Sequence, residues 1–126
     1  MRLDLSSHRL DNPPYDFAAS FRDIARAGAQ AVLALSSPHF TMQRSRIAEL
    51  AIEHLLPTMF IFKGDVKSGG LMSYGVDTVP MLRRVVSLVA KILRGAKPAD
   101  LPVDQAAIFE FAVNLYTARA IGVTLP

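Results

Sequence analysis

Residues 31–62 read AVLALSSPHFTMQRSRIAELAIEHLLPTMFIF. The first five form an unbroken apolar run that ends in the polar pair Ser36-Ser37. Such a run suits a strand covered on both faces. Over residues 40–54, Ile47, Leu50 and Ala51 fall on one helical face, with Arg44, Arg46, Glu49 and Glu53 elsewhere. That is the pattern of an amphipathic helix. PTMFIF (57–62) reads as a second buried strand, stopped by Lys63-Gly64-Asp65. Strand, helix and strand in this order set the fold class: α/β, a mostly parallel sheet with flanking helices.

The same pattern continues in both directions. Upstream, Leu3 and Leu5 alternate with Arg2, Asp4 and Ser6, which predicts a short strand. Asp11-Asn12-Pro13-Pro14 breaks the chain before a helix whose stripe is Phe17, Phe21, Ile24 and Ala25, ended by Gly28. Downstream, a turn at Gly69-Gly70 leads to the short strand LMSYG (71–75). Asp77 or Thr78 caps a helix that runs to about Arg94 and ends at Gly95. Leu82, Val85, Val86, Val89 and Leu93, widened by Met81, Leu88 and Ile92, give that helix a broad apolar surface and leave only a narrow polar face. A polar loop (95–102) precedes a strand over 108–114, with Phe109 and Phe111 on one face and Ile108, Glu110 and Ala112 on the other. Residues 115–121 form a last short helix before Gly122 and an extended tail.

Composition narrows the function. Among 126 residues, 51% are hydrophobic and 20% charged, which excludes a disordered chain. The net charge of +3 is scattered and gives no nucleic-acid signature. Without cysteine there is no disulfide, thiolate metal site or cysteine nucleophile. The histidines (8, 39 and 54) have no partner at metal-ligand spacing, so no metal or cofactor is expected. His54 suits a helix C-terminus, where it complements the dipole. No basic-then-apolar leader opens the chain, and no apolar stretch is long enough to span a membrane.

Candidate chemistry gathers at the strand ends. Ser36 and Ser37 follow a buried strand, where open α/β sheets bind ligands. Ser37 before Pro38 is equally an N-cap and first-turn pair, and both readings stay open. The Gly-x-Ser-x-Gly elbow of hydrolases is absent, and no base or acid accompanies either serine. Gly69-Gly70 lacks the spacing of a dinucleotide fingerprint. Tyr74 closes a strand and could present its ring to a cleft. Polar groups without an acid/base set suit binding better than turnover, so no enzyme is expected.

GAQAVLALSSPHF, RIAELAIEHLLPTMF, SGGLMSYGVD, KILRGAKPADLPVDQ and FEFAVNLYTARAIGVTLP follow one another in order and spacing. Together they resemble the C-terminal part of the substrate-binding proteins of one group of bacterial ABC transporters, periplasmic type I binding proteins. The resemblance implies one truncated lobe of a two-lobed fold, small-molecule solute binding with amino acids among relatives' ligands, and transporter membrane subunits as partners. Measured against a complete relative, the signal peptide, the first lobe and the first βα unit of the second lobe are expected to be lacking. That would leave the chain as given cytoplasmic, where the family is periplasmic. Residues 1–126 then form one α/β domain, with 2–74 and 108–121 second-lobe-like and the 78–94 helix built to pack on the first lobe. By position, the resemblance makes Ser36, Ser37, Phe40, Lys63, Ser73 and Tyr74 the ligand-facing candidates, half of a cleft. The alternative expectation is a self-associating homodimeric module, or a gene remnant with no ligand capture of its own.

Overall fold

The computed structural model describes residues 3–10, 13–103 and 108–124. Four strands form one sheet in the order β1 (Val32–Leu33), β2 (Thr58–Phe60), β3 (Met72–Val76) and β4 (Phe109–Val113). The first three run parallel, in the register Val32↔Thr58 and Met59↔Met72. β4 lies antiparallel to β3 from Met72↔Val113 to Val76↔Phe109. The sheet is therefore mixed, with the parallel part expected from the sequence and one antiparallel edge strand.

The helices obey their sequence signals. α1 (Phe17–Arg26) starts where Asp16 Oδ1 accepts the Ala19 N–H at 2.8 Å. It ends where Gly28, at φ +75°, turns the chain left-handed, so that Gly28 and Ala29 donate to the Ala25 and Ile24 carbonyls. The segment expected as one helix over 40–54 is two: α2 (Pro38–Met42) and α3 (Arg44–Glu53), joined at Gln43. Ser37 and Pro38 start a turn of their own, and their caps fix α2 before α3 begins. Lys63-Gly64-Asp65 does more than stop β2: it opens α4 (Lys63–Lys67). α5 (Thr78–Leu93) is capped by Asp77, whose carboxylate accepts the Val79 N–H at 3.0 Å. α6 (Leu115–Ala120) is capped by Asn114, which accepts from Tyr116 and Thr117.

One face of the sheet carries the core. Phe60 packs with Phe17 and Phe21 of α1, Ile47, Leu50 and Ala51 of α3, and Leu56. Leu71 packs with Ala118 and Ile121 at the end closed by α6. A parallel β-α-β connection is right-handed, which sets α3 and α4 on the same side of the sheet. The opposite face has no cover from the described residues. Burial alternates along every strand, and the less covered positions form rows across the sheet: Leu33, Met59, Met72 and Val113, then Tyr74 with Phe111, then Val76 with Phe109. Phe109 is 52% exposed and Phe111 64%. The expected 31–36 strand covered on both sides is thus covered on one: Val32 and Ala34 approach the core, while Leu33 and Leu35 face outward. The strand expected at 2–6 is also corrected. Residues 3–10 form no ladder among the described residues, and Leu3 and Leu5 are exposed. Alternation alone forms no strand without a partner edge to hydrogen-bond.

Two backbone positions give tests. Leu55 terminates α3 at φ +53°, a left-handed position held by Leu55 N–H to the Ile52 carbonyl and Leu56 N–H to the Ala51 carbonyl. Its side chain is exposed and contributes no core, so Leu55→Gly should stabilise the fold by about 0.5–1 kcal/mol in urea denaturation. At Gly75, a Cβ would collide with the Ile61 carbonyl oxygen. Backbone cannot step aside as a side chain tip can, so Gly75→Ala should cost about 1–3 kcal/mol in the same measurement.

Candidate functional site

Three parallel strands deliver their carboxyl ends to one edge of the sheet, the place where open α/β sheets bind ligands. A small cleft opens there between the β1–α2 loop and the start of α4. Ser36, Phe40 and Thr41 line it from one side, and Phe60, Phe62 and Asp65 from the other. Two of the six expected residues, Ser36 and Phe40, therefore meet in it.

The other four have different surroundings. Ser37 Oγ accepts the Phe40 N–H at 3.2 Å, and the Ser37 carbonyl accepts from the Thr41 hydroxyl and N–H. That is the N-cap role. Lys63 sits beside the cleft at the first turn of α4, its Nζ 3.0 Å from Glu110 of β4. Ser73 and Tyr74 alternate along β3 and so point to opposite faces of the sheet. Ser73 is 0% exposed, and its Oγ has no hydrogen-bond partner among the described residues. Tyr74 lies on the bare face, its ring stacked on Phe109 at 5.8 Å. Phe40 also faces inward, edge-on to Phe17 at 5.5 Å and to Tyr15 at 6.4 Å.

Asp65 is the residue the sequence reading missed. It is buried, and its Oδ2 accepts the Phe62 N–H at 3.3 Å, tying the end of β2 to the first turn of α4. The signal was an acidic residue at the third position of a helix directly after a strand. Elsewhere, a wide shallow groove runs along Tyr15, Phe17, His39, Gln43 and Arg46. Its guanidinium is committed to Glu49 at 3.2 Å and Glu53 at 3.4 Å. Among the described residues, no His, Asp or Glu cluster could hold a metal ion, and no helix is long and apolar enough to cross a membrane.

Burial pushes the Asp65 carboxyl above its ordinary value, against the opposing pull of the Phe62 N–H and the Arg44 guanidinium. A carboxyl raised on folding favours the folded state below its unfolded value, and that contribution is lost as pH rises through the folded value. At neutral pH the ionised group therefore costs stability. Asp65→Asn keeps an acceptor for Phe62 and carries no charge. Its urea midpoint should exceed that of the parent at pH 7, with the gap closing toward pH 4. A less stable variant at pH 7 would mean that the Arg44 attraction outweighs the burial cost.

None of the curated proteins matches the chain. Two solved structures share its fold. One is a conserved domain protein from Vibrio cholerae O1 biovar El Tor, with a TM-score of 0.79 and 23% identity over 88% of this chain. The other is the ligand-free, open structure of CD0873 from Clostridium difficile, a substrate binding protein with adhesive properties, with a TM-score of 0.62 and 18% identity over 86%. The chain spans 37% of the length of each. The model of the ABC transporter substrate binding protein family matches residues 22–126. By that match, and with a sheet that such structures share, the chain belongs to the ABC transporter substrate-binding protein family.

Proposed function

We propose that this chain supplies one side of a solute-binding cleft, serving uptake of a small molecule by an ABC transporter and catalysing no reaction. The observation that carries this is the convergence of the β1 and β2 carboxyl ends on one cleft, lined by serine and threonine residues and aromatic rings. Ser36 offers a hydroxyl and Phe40 and Phe62 apolar walls, and the Lys63–Glu110 ion pair starts at the residue that follows Phe62. A zwitterionic, amino-acid-like solute is the ligand class of this reading, its two charges exchanging with the Lys63–Glu110 ion pair. Transporter membrane subunits are the partner and the periplasm the working place that this reading carries. Ser37 acts through its cap, holding α2 where Phe40 and Thr41 reach the cleft. Ser73 lies too deep for contact, and Tyr74 serves the opposite face.

In this reading residues 2–74 and 108–121 belong to one lobe, and α5 is the part that leaves it. Half a cleft holds a ligand weakly, because hinge closure of two lobes supplies the remaining contacts. Titration of an amino-acid panel into the labelled chain, followed by amide NMR shifts, tests this. Millimolar, fast-exchange shifts confined to residues 36–41 and 62–65 are expected, and lost shifts at 62–65 in Lys63→Ala. Tight saturable binding by the monomer, or shifts centred elsewhere, would refute it.

A second reading, a self-associating module, is favoured by one observation. α5 and the bare sheet face both carry apolar surface that no described element covers.

A further inference from the structure

The net charge, scattered when the chain is read end to end, is sorted by α5. Residues 78–99 hold five cations (Arg83, Arg84, Lys91, Arg94 and Lys97) and no carboxylate. The whole chain carries +3, so everything outside this segment is net negative. At the α-helical repeat, the four cations of α5 fall within about 100° of the helix surface, away from the apolar stripe. From Arg83 to Arg94 the row runs about 16 Å along the axis. All four side chains are exposed. Arg83, Lys91 and Arg94 meet no carboxylate at ion-pair distance among the described residues. In the one-lobe reading, the apolar side of α5 packs on another lobe. The basic side has no such use, because burying cations without partners is strongly unfavourable. It therefore faces water whatever covers the apolar side.

We propose that the basic row of α5 docks on an anionic lipid surface. A bilayer presents a continuous field of negative charge, which a straight row of cations meets without a fitted pocket. The row has no such pocket: neither the cleft nor the groove beside Tyr15 borders α5. Protein interfaces draw on aromatic anchors at a desolvated centre, and single-stranded nucleic acid draws on rings for base stacking. No aromatic residue lies between Tyr74 and Phe109. Charge without rings or concavity therefore favours lipid headgroups over either macromolecule. Each cation held near an anionic membrane strengthens binding roughly fivefold, so the row gives weak, reversible and salt-dependent docking. The inference is independent of the solute reading. A protein that serves a membrane transporter nonetheless works beside such a surface.

Vesicle co-sedimentation of the purified chain tests this. The chain should bind vesicles of phosphatidylcholine mixed with phosphatidylglycerol and ignore pure phosphatidylcholine. Binding should vanish as salt rises from about 0.1 M to about 1 M, which shortens the screening length from about 10 Å to about 3 Å. Arg83→Gln, Lys91→Gln and Arg94→Gln together should weaken it roughly a hundredfold, with the circular dichroism spectrum unchanged because all three side chains are exposed. Arg83→Lys with Arg94→Lys keeps the charge and should keep the binding, a check that holds even if the triple variant misfolds. Equal binding to pure phosphatidylcholine, or binding that survives high salt, would assign the contact to the apolar stripe and overturn the proposal. No sedimentation with either vesicle overturns it too. So does tighter binding to a DNA duplex or to polyglutamate than to the anionic vesicles, which would hand the row to a different macromolecule. None of these results bears on solute binding, which the NMR titration reads.

Discussion

Phe60 is the contact on which the rest of the molecule depends. It stands in the middle strand of the parallel run and belongs to one core cluster with Phe17 and Phe21 of α1 and Ile47, Leu50 and Ala51 of α3. Its ring leaves no room for a side chain at Gly70, since a Cβ there would lie 2.5 Å from it. Glycine lets the α4–β3 turn press against the strand, and that closeness brings β3 into register with Phe60 opposite Ser73. One cluster around this ring therefore joins two helices to the sheet, and the ring itself sets how closely the turn before the third strand approaches. The position of α4, and with it the cleft, follows.

The core also explains the asymmetry of the fold. Every side chain that packs strongly lies on the Phe60 face or at the end closed by α6. The cleft benefits, because it sits at the rim of the rigid face, where Asp65 and the Ser37 cap tie two loops to helix starts. The other face has apolar side chains and no cover from the described residues. Burial drives association in proportion to the apolar area removed from water, so such a surface has a thermodynamic reason to find a partner. The same holds for α5.

The elements were legible because their signals are local. The stripe of α1, the caps at Asp16, Ser37 and Asp77, the glycine ends of α1 and α5, and the runs of β2 and β3 all read directly from neighbouring residues. Two of the residues that line the cleft were legible for the same reason: Ser36 and Phe40 follow a strand. Asp65 was legible only as an acidic residue at the third position of a short helix, because its burial depends on elements distant in the chain. Ser73 was misleading in the opposite way. A serine beside a tyrosine at a strand end reads as a site, while the pleat sends one inward and the other out.

The sequence by itself determined the α/β class, the family and the apolar stripe of α5, because periodicity, caps and motif spacing are properties of short segments; the element order it implied had a strand too many at 2–6 and lacked α4. Tertiary structure alone decided which face of each strand is covered. AVLALS could be buried on both sides, and Phe109 with Phe111 could face either way. Only the pairing of β4 antiparallel to β3, and the packing of the core helices on the Phe60 side, turn those rings toward solvent. Alternation states that a strand has two faces. Which one meets water depends on elements far away in the chain.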